Sequence, residues 1–175
     1  MPNKSAVLVA ETSKENAADN PLVQILQKQV ANAFILYSNY KHYHWQTFGP
    51  LFRDLHLMFD EFAEAVLATV DEFAERIRMI GPDPIYSQHQ VLETASVEVA
   101  RQGKRIREMI QEADENLLVV IREMRRGARI ADEADDPGSV DLFSKVVQIH
   151  EKHEWWLRDM LKKDDGLIDA KLPAH

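Results

Sequence analysis

The chain of 175 residues contains no cysteine. That excludes disulfides, zinc–thiolate sites and thiol catalysis, and it fits a reducing compartment. Glycine and proline are scarce, with 6 and 7 residues, and they occur in clusters, which favours long uninterrupted elements. Long hydrophobic runs are missing too. The longest near the N-terminus, residues 6–10, is too short for a signal-peptide core, and nothing reaches the length of a membrane span. The expected location is the cytoplasm. Positive charge is the minority sign: 21 Lys and Arg against 29 Asp and Glu give a net charge of −8. Nucleic-acid binding by phosphate neutralisation needs clustered Lys and Arg, so this balance is better suited to gathering cations. Phosphate loops, nucleophile elbows and zinc-protease helices are absent from the sequence.

What is present is helical periodicity over most of the chain. Residues 1–19 lack it and read as a flexible N-terminal tail, and 164–175 read as a second tail. Between them, 20–163 reads as one all-α domain. A first helix starts at Asn20-Pro21, a capping residue followed by proline at the first helical position. Its apolar stripe runs from Leu22 through Leu36 and Tyr40 to His44. Gly49-Pro50 marks a tight reversal. A second helix covers about 51–80 and is stopped by Gly81-Pro82-Asp83-Pro84. Residues 85–103 read as a connection, with a short amphipathic helix expected around Lys104–Ile110. Two further helices follow, over about 114–132 with Leu117, Leu118, Ile121 and Met124 inward, and over about 140–163. Four long helices with one long connection imply a four-helix bundle whose crossover, carrying a short helix, joins the second and third.

The second helix carries His56/Asp60 and Asp71/Glu75, two pairs at i,i+4 spacing whose members can converge on one ion. At 100° per residue, all four fall on one face flanking the apolar stripe. The pairs cannot share an ion within one chain, because their midpoints lie about fifteen residues, roughly 22 Å, apart along the axis. Two copies packed antiparallel about a two-fold axis would bring each pair against the opposite pair of the other copy and create two identical sites. His44, returned beside His56 by the hairpin, would complete each one. Two imidazoles and up to three carboxylates suit Fe(II), and by ligand type Zn(II), Mn(II) and Co(II) also fit. On spacing alone a solvated acidic face remains the competing reading. Carboxylates gathered beside an apolar stripe repel one another unless protonated or bound to a cation, which favours the metal. A di-iron centre inside one bundle would need Glu-x-x-His, and the chain has none.

His44-Trp45, Gly49-Pro50-Leu51-Phe52, Leu55-His56, Phe59-Asp60-Glu61 and Asp71-Glu72-Phe73-Ala74-Glu75-Arg76, with Trp155 in the last helix, resemble the signature of the Dps family, the miniferritins, over about residues 20–163. The resemblance implies a ferritin-like bundle assembled as a hollow homododecamer. It implies a ferroxidase centre at the two-fold interface, with His44, His56 and Asp60 from one subunit and Asp71 and Glu75 from its neighbour. It also implies oxidation of Fe(II) by hydrogen peroxide or dioxygen and storage of ferric mineral, which protects against oxidative stress. Asp136 and Asp141 are expected at cation pores, and Glu61 and Glu64 at the mineral cavity. Trp45 has two readings, a donor of electrons or trap for radicals, or a core or interface aromatic.

Members of that family often bind DNA through Lys-rich tails. Residues 1–19 carry two lysines against three acids, so a nucleoid-compacting DNA-binding protein is the alternative rather than the first expectation. His150 and His153 stand where apolar residues are expected. His150 reads either as a core histidine hydrogen-bonded to a neighbour or as an added imidazole at the metal site, which would make zinc more acceptable there. His153 is less well placed for this, and Glu154 would orient either ring.

Overall fold

The computed structural model describes residues 19–162, so both expected tails, apart from Asp19, lie outside the described residues. Five helices follow one another: α1 (Pro21–Gln46), α2 (Phe52–Ile80), α3 (Gln88–Thr94), α4 (Ile106–Glu133) and α5 (Pro137–Leu161). No described helix is long and apolar enough to cross a membrane. The Asn20 side chain accepts from Leu22 N at 2.9 Å and Pro21 supplies the first helical φ. Gly49, with φ of 84°, turns the chain between α1 and α2. Gly81, with φ of 133°, closes α2 by donating to the Ile77 carbonyl oxygen at 3.0 Å.

The long helices form two antiparallel hairpins, α1–α2 and α4–α5. Contacts along α1 and α4 run in opposite order, Tyr43 with Glu112 and Asn32 with Glu123, so those two are antiparallel. The same holds for α2 and α5, where Phe73 meets Phe143, Lys145 meets Glu72 and Phe62 meets His153. The result is the four-helix bundle with crossover that the periodicity implies, filled by Leu26, Leu36, Phe59, Phe62, Val66, Phe73, Leu117, Phe143 and Leu157. At Gly127, a Cβ would lie 2.4 Å from the Phe143 ring, so α4 and α5 approach closely only because that position has no side chain.

Two expectations are corrected. The short helix of the crossover is Gln88–Thr94, nucleated by a capping box in which Ser87 Oγ accepts from Gln90 N at 3.2 Å. Residues 106–110 are instead the first turn of α4, which begins at Ile106 rather than near Asp114. Ile106, Met109, Ile110 and Ala113 continue the stripe of Leu117, Val120, Ile121 and Met124, so the two expected segments are one helix. Leu118 is exposed, and Val120 takes the inward place.

The remaining crossover is held by amides. Asn39 donates to the Glu98 carbonyl oxygen and accepts from Ala100 N, both at 2.8 Å. Asn116 brackets Glu98 from the other side, accepting from its N–H and donating to its carbonyl oxygen, both at 2.9 Å. Asn32 accepts from Ser96 N at 2.8 Å, and Gln27 from Ile85 N at 2.8 Å. Extended backbone crossing a bundle has no ladder of its own, and these side chains supply the missing partners. Glu112, also buried, would be pushed up by burial. Lys104, the Tyr43 hydroxyl and Arg101 N instead hold its carboxyl below the usual range.

The core also contains two histidines from one face of α5. His153 stacks on Phe62, with ring centroids 3.7 Å apart and planes 14° apart, and meets Tyr40 edge-on. His150 lies one turn away. Nδ1 of each ring is buried with no hydrogen-bond partner. Burial lowers the pKa of His150 to about 4. Burial, helped by His150 and Lys152 nearby, lowers that of His153 to about 3.

Two measurements check this packing. Asn39→Ala should cost about 1–3 kcal/mol in urea unfolding, because it deprives the crossover of two partners. The folded-state pKa values of His150 and His153 lie below the unfolded value, so the unfolded chain binds more protons and stability must fall as pH drops from about 6.5 towards 4. Each ring contributes a slope of at most about 1.4 kcal/mol per pH unit, and a His150→Leu/His153→Phe double variant should flatten the dependence.

Candidate metal centre

The hairpin between α1 and α2 makes the first half of the centre. His44 closes α1 and His56 sits in the second turn of α2. His44 Nδ1 donates to the His56 carbonyl oxygen at 2.7 Å, and His56 Nδ1 donates to the His44 carbonyl oxygen at 2.9 Å. A carbonyl oxygen only accepts, so both Nδ1 atoms carry hydrogen, and in the neutral rings both Nε2 atoms present lone pairs. The rings stack with centroids 3.5 Å apart and planes 19° apart, and Phe52 stacks on the outer side of His56 at 4.9 Å. Thr47 Oγ1 also donates to the His44 carbonyl oxygen at 3.0 Å. This reciprocal arrangement fixes tautomer and orientation, as the outer partners of metal-bound imidazoles generally do.

Asp60 joins the pair from the next turn of α2. Its Oδ1 lies 4.0 Å from His44 Nδ1 and is held by the Lys41 ammonium. Hydrogen bonding to Lys41 keeps the Asp60 carboxyl below its usual range. Around this half-site Trp45, Phe48, Leu51 and Phe52 stand open, Trp45 being 66% exposed. Trp45 is therefore not a core aromatic of the single chain, and its exposure leaves the interface reading open.

Asp71 and Glu75 are the second candidate pair. Both are exposed, and among the described residues neither makes an ion pair or hydrogen bond within the chain. Their neighbours behave differently: Glu72 pairs with Lys145 at 2.6 Å, and Arg76 pairs with Asp136 and donates to Ser139 Oγ at 2.9 Å. Helix α2 runs unbroken through both halves for 29 residues, so the separation of roughly 22 Å holds. Among the described residues, no three His, Asp or Glu side chains of one chain are grouped to hold a metal ion.

The structure thus stacks His44 on His56 and puts Asp60 Oδ1 4.0 Å from His44 Nδ1, without gathering the three into a metal-holding group, and leaves Asp71 and Glu75 apart from them. His150 joins neither group. Phe73 against Phe143 and Phe62 against His153 set the α2–α5 register, which puts His150 opposite 65–66, roughly 11 Å along the axis from each half. It is 1% exposed, and its Nδ1 lacks the hydrogen bond that a satisfied core histidine would have. Asp136 is occupied as the cap of α5 and the partner of Arg76, while Asp141, Glu61 and Glu64 are exposed. Lys41 escaped sequence reasoning. Its spacing of three from His44 is a signal only once Asp60 is known to lie across the hairpin.

The family model described as a ferritin-like domain matches residues 23–167. DNA protection during starvation protein 2 of Bacillus anthracis is 32% identical over 142 residues, covering 81% of this chain and 97% of its own length. The crystal structure of Dps from Thermosynechococcus elongatus superposes with a TM-score of 0.84 at 42% identity, covering 89% of this chain and 99% of that one. A Dps protein of Vibrio cholerae O1, described as a member of a broad superfamily of ferritin-like diiron-carboxylate proteins, superposes at 0.78 with 27% identity, covering 86% and 93%. A bundle of this topology, with family matches along nearly its whole described length, belongs to the Dps family of the ferritin-like superfamily.

Proposed function

We propose that this protein is a ferroxidase and iron store that oxidises Fe(II) with hydrogen peroxide or dioxygen at sites shared between subunits and keeps the ferric product as mineral. The observation that carries the reading is the His44–His56 pair, whose Nδ1 atoms are engaged and whose Nε2 atoms are free. Beside it stands Asp60, and on the same helix Asp71 and Glu75 have no partner among the described residues. An isologous, antiparallel contact between two copies of α2 completes two ligand sets at once. The exposed rim of Trp45, Phe48, Leu51 and Phe52 supplies apolar surface for that contact. The diiron-carboxylate description of the Vibrio cholerae relative supports iron as the metal. Twelve subunits around a cavity are part of the same proposal.

At such a site iron is the substrate. The carboxylates Asp60, Asp71 and Glu75 offset the charge of Fe(II) and stabilise Fe(III) more, which favours loss of an electron. The imidazoles of His44 and His56 fix direction without adding charge. Two Fe(II) ions give two electrons to one peroxide, whose O–O bond breaks and, with two protons, yields two waters. Hydroxyl-radical formation by one-electron reduction is thereby avoided. The protein supplies position and electrostatics. Zinc can occupy the same imidazole and carboxylate donors without turnover. His150 stands too far along the bundle axis for a place in this ligand set unless the helices shift.

Anaerobic Fe(II) loading followed by peroxide, read as ferric absorbance, tests the reading. His56→Ala and Asp71→Ala should each slow oxidation by about tenfold or more, the scale of losing a ligand or its outer partner. An assembly mixed from the two variants should regain part of the rate, because some interfaces then combine two intact halves. Unchanged rates in the single variants would remove the site. The name of the Bacillus anthracis relative raises DNA as a partner here. With acids outnumbering bases 29 to 21, no strong gel retardation of DNA is expected at about 0.15 M salt. Strong, salt-sensitive retardation would reverse that ranking.

A further inference from the structure

Inside the bundle, polar atoms from three helices are buried without a hydrogen-bond partner among the described residues: the Tyr40 hydroxyl on α1, Asp114 Oδ1 on α4, and Nδ1 of His150 and of His153 on α5. They are neighbours. The His153 ring meets Tyr40 edge-on, with centroids 6.5 Å apart. Burial first, and His150 after it, disfavour a charge on His153, so the two rings lie within reach of each other. Burial, and then the charge of Asp114, push the Tyr40 hydroxyl above its ordinary range, which places that carboxyl near the phenol. Tyr43, one turn along α1, donates to Glu112 at 2.8 Å. Tyr40 is fully enclosed and has no such acceptor. Glu154 is not offered to the group, because Arg158 holds both of its oxygens at 2.9 Å. Buried polar groups are almost always paired, either with protein or with ordered water. Several unpaired ones at one level of a core therefore point to an occupant.

We propose that Tyr40, Asp114, His150 and His153 enclose an internal water site, in which ordered water bridges the phenol, the carboxyl oxygen and the imidazole nitrogens. The donor set selects water. A carboxylate oxygen accepts, a phenol donates and accepts, and each neutral imidazole has one N–H and one lone pair. Only a small ligand that both donates and accepts satisfies this mixture, and a buried water makes about three hydrogen bonds. A cation needs lone pairs from every side, and among the described residues no three His, Asp or Glu side chains are grouped for one. The site ties α1, α4 and α5 together at one level. Tyr40 precedes His44 by one turn, so the same water braces from within the part of α1 that carries the half-site imidazole. It also gives a role to two histidines where leucine or phenylalanine would fill the core without unpaired atoms. The inference holds whichever metal the centre takes.

The test is neutron diffraction from crystals of the assembled protein exchanged into D₂O. The expected result is a deuterated water within about 2.5–3.2 Å of the Tyr40 hydroxyl and of at least one imidazole nitrogen or Asp114 Oδ1. A direct hydrogen bond from Tyr40 to Asp114 or to an imidazole with no water between, a water touching only one of the side chains, or a metal ion in the site would overturn the proposal. Thermal melting gives a second readout. Tyr40→Phe removes one oxygen and should lower the Tm by about 2–6 °C in the wild-type background. In a His150→Leu/His153→Leu background, where the bridging partners are already gone, the same substitution should shift the Tm by less than about a third as much. Equal shifts in both backgrounds, or no shift in wild type, would mean that Tyr40 and the histidines share no ligand. Size exclusion verifies assembly, and His153→Leu alone provides the background if the double variant does not assemble.

Discussion

The pair of hydrogen bonds exchanged by His44 and His56 is the constraint on which the rest of the site depends. Each ring donates to the other residue's carbonyl oxygen, at 2.7 and 2.9 Å. A side chain from the end of α1 and one from the start of α2 therefore satisfy backbone groups of the opposite helix. The His44 carbonyl oxygen is one that the end of α1 leaves without a helical partner, whereas the His56 carbonyl oxygen lies inside α2 and takes the His44 ring as an additional donor. The left-handed backbone at Gly49 permits the reversal. The bundle then only has to keep the hairpin closed.

It does so with devices of unequal visibility. Apolar stripes join the hairpins, and buried amides pair Ser96 N, both backbone groups of Glu98 and Ala100 N where the crossover returns across the bundle. His150 and His153 remain neutral inside because burial disfavours their charge. Helix α2 acts as a straight rule whose length keeps the two ligand pairs roughly 22 Å apart. On the proposed reading a single chain therefore has two incomplete halves, and the rigidity of α2 is the reason that a second copy would be needed. Arg76, bound to Asp136 and Ser139, ties the far end of that rule to the start of α5 beside Glu75.

Much of this was legible in the sequence, for stated reasons. The stripe ending at His44, the Gly-Pro break and the i,i+4 pairs are one-dimensional signals of period and punctuation. They locate the hairpin, the four long helices and the separation of the pairs. What was not legible depends on contacts between helices. Lys41 reads as a solvated lysine until Asp60 is known to face it. Asn39 and Asn116 read as polar interruptions until the crossover lies over them. Asp136 reads as a free acid until Arg76 reaches it. The misplaced short helix has a different cause: the apolar spacing at Ile106–Ile110 looks the same whether the segment stands alone or opens α4, and only the structure shows the Ser87 capping box that starts Gln88–Thr94. His150 was readable as an inward-facing position, but its depth along the bundle follows only from the α2–α5 register.

The central claim is that two chains build one centre. Anomalous diffraction from crystals of the assembled protein loaded anaerobically with Co²⁺ measures it directly. The expected result is metal at each two-fold contact between α2 helices, bound by His44 and His56 Nε2 and Asp60 from one copy and by Asp71 and Glu75 from the other. Metal bound by residues of a single chain, or at His150 and His153 inside the bundle with the two-fold contact empty, would contradict it.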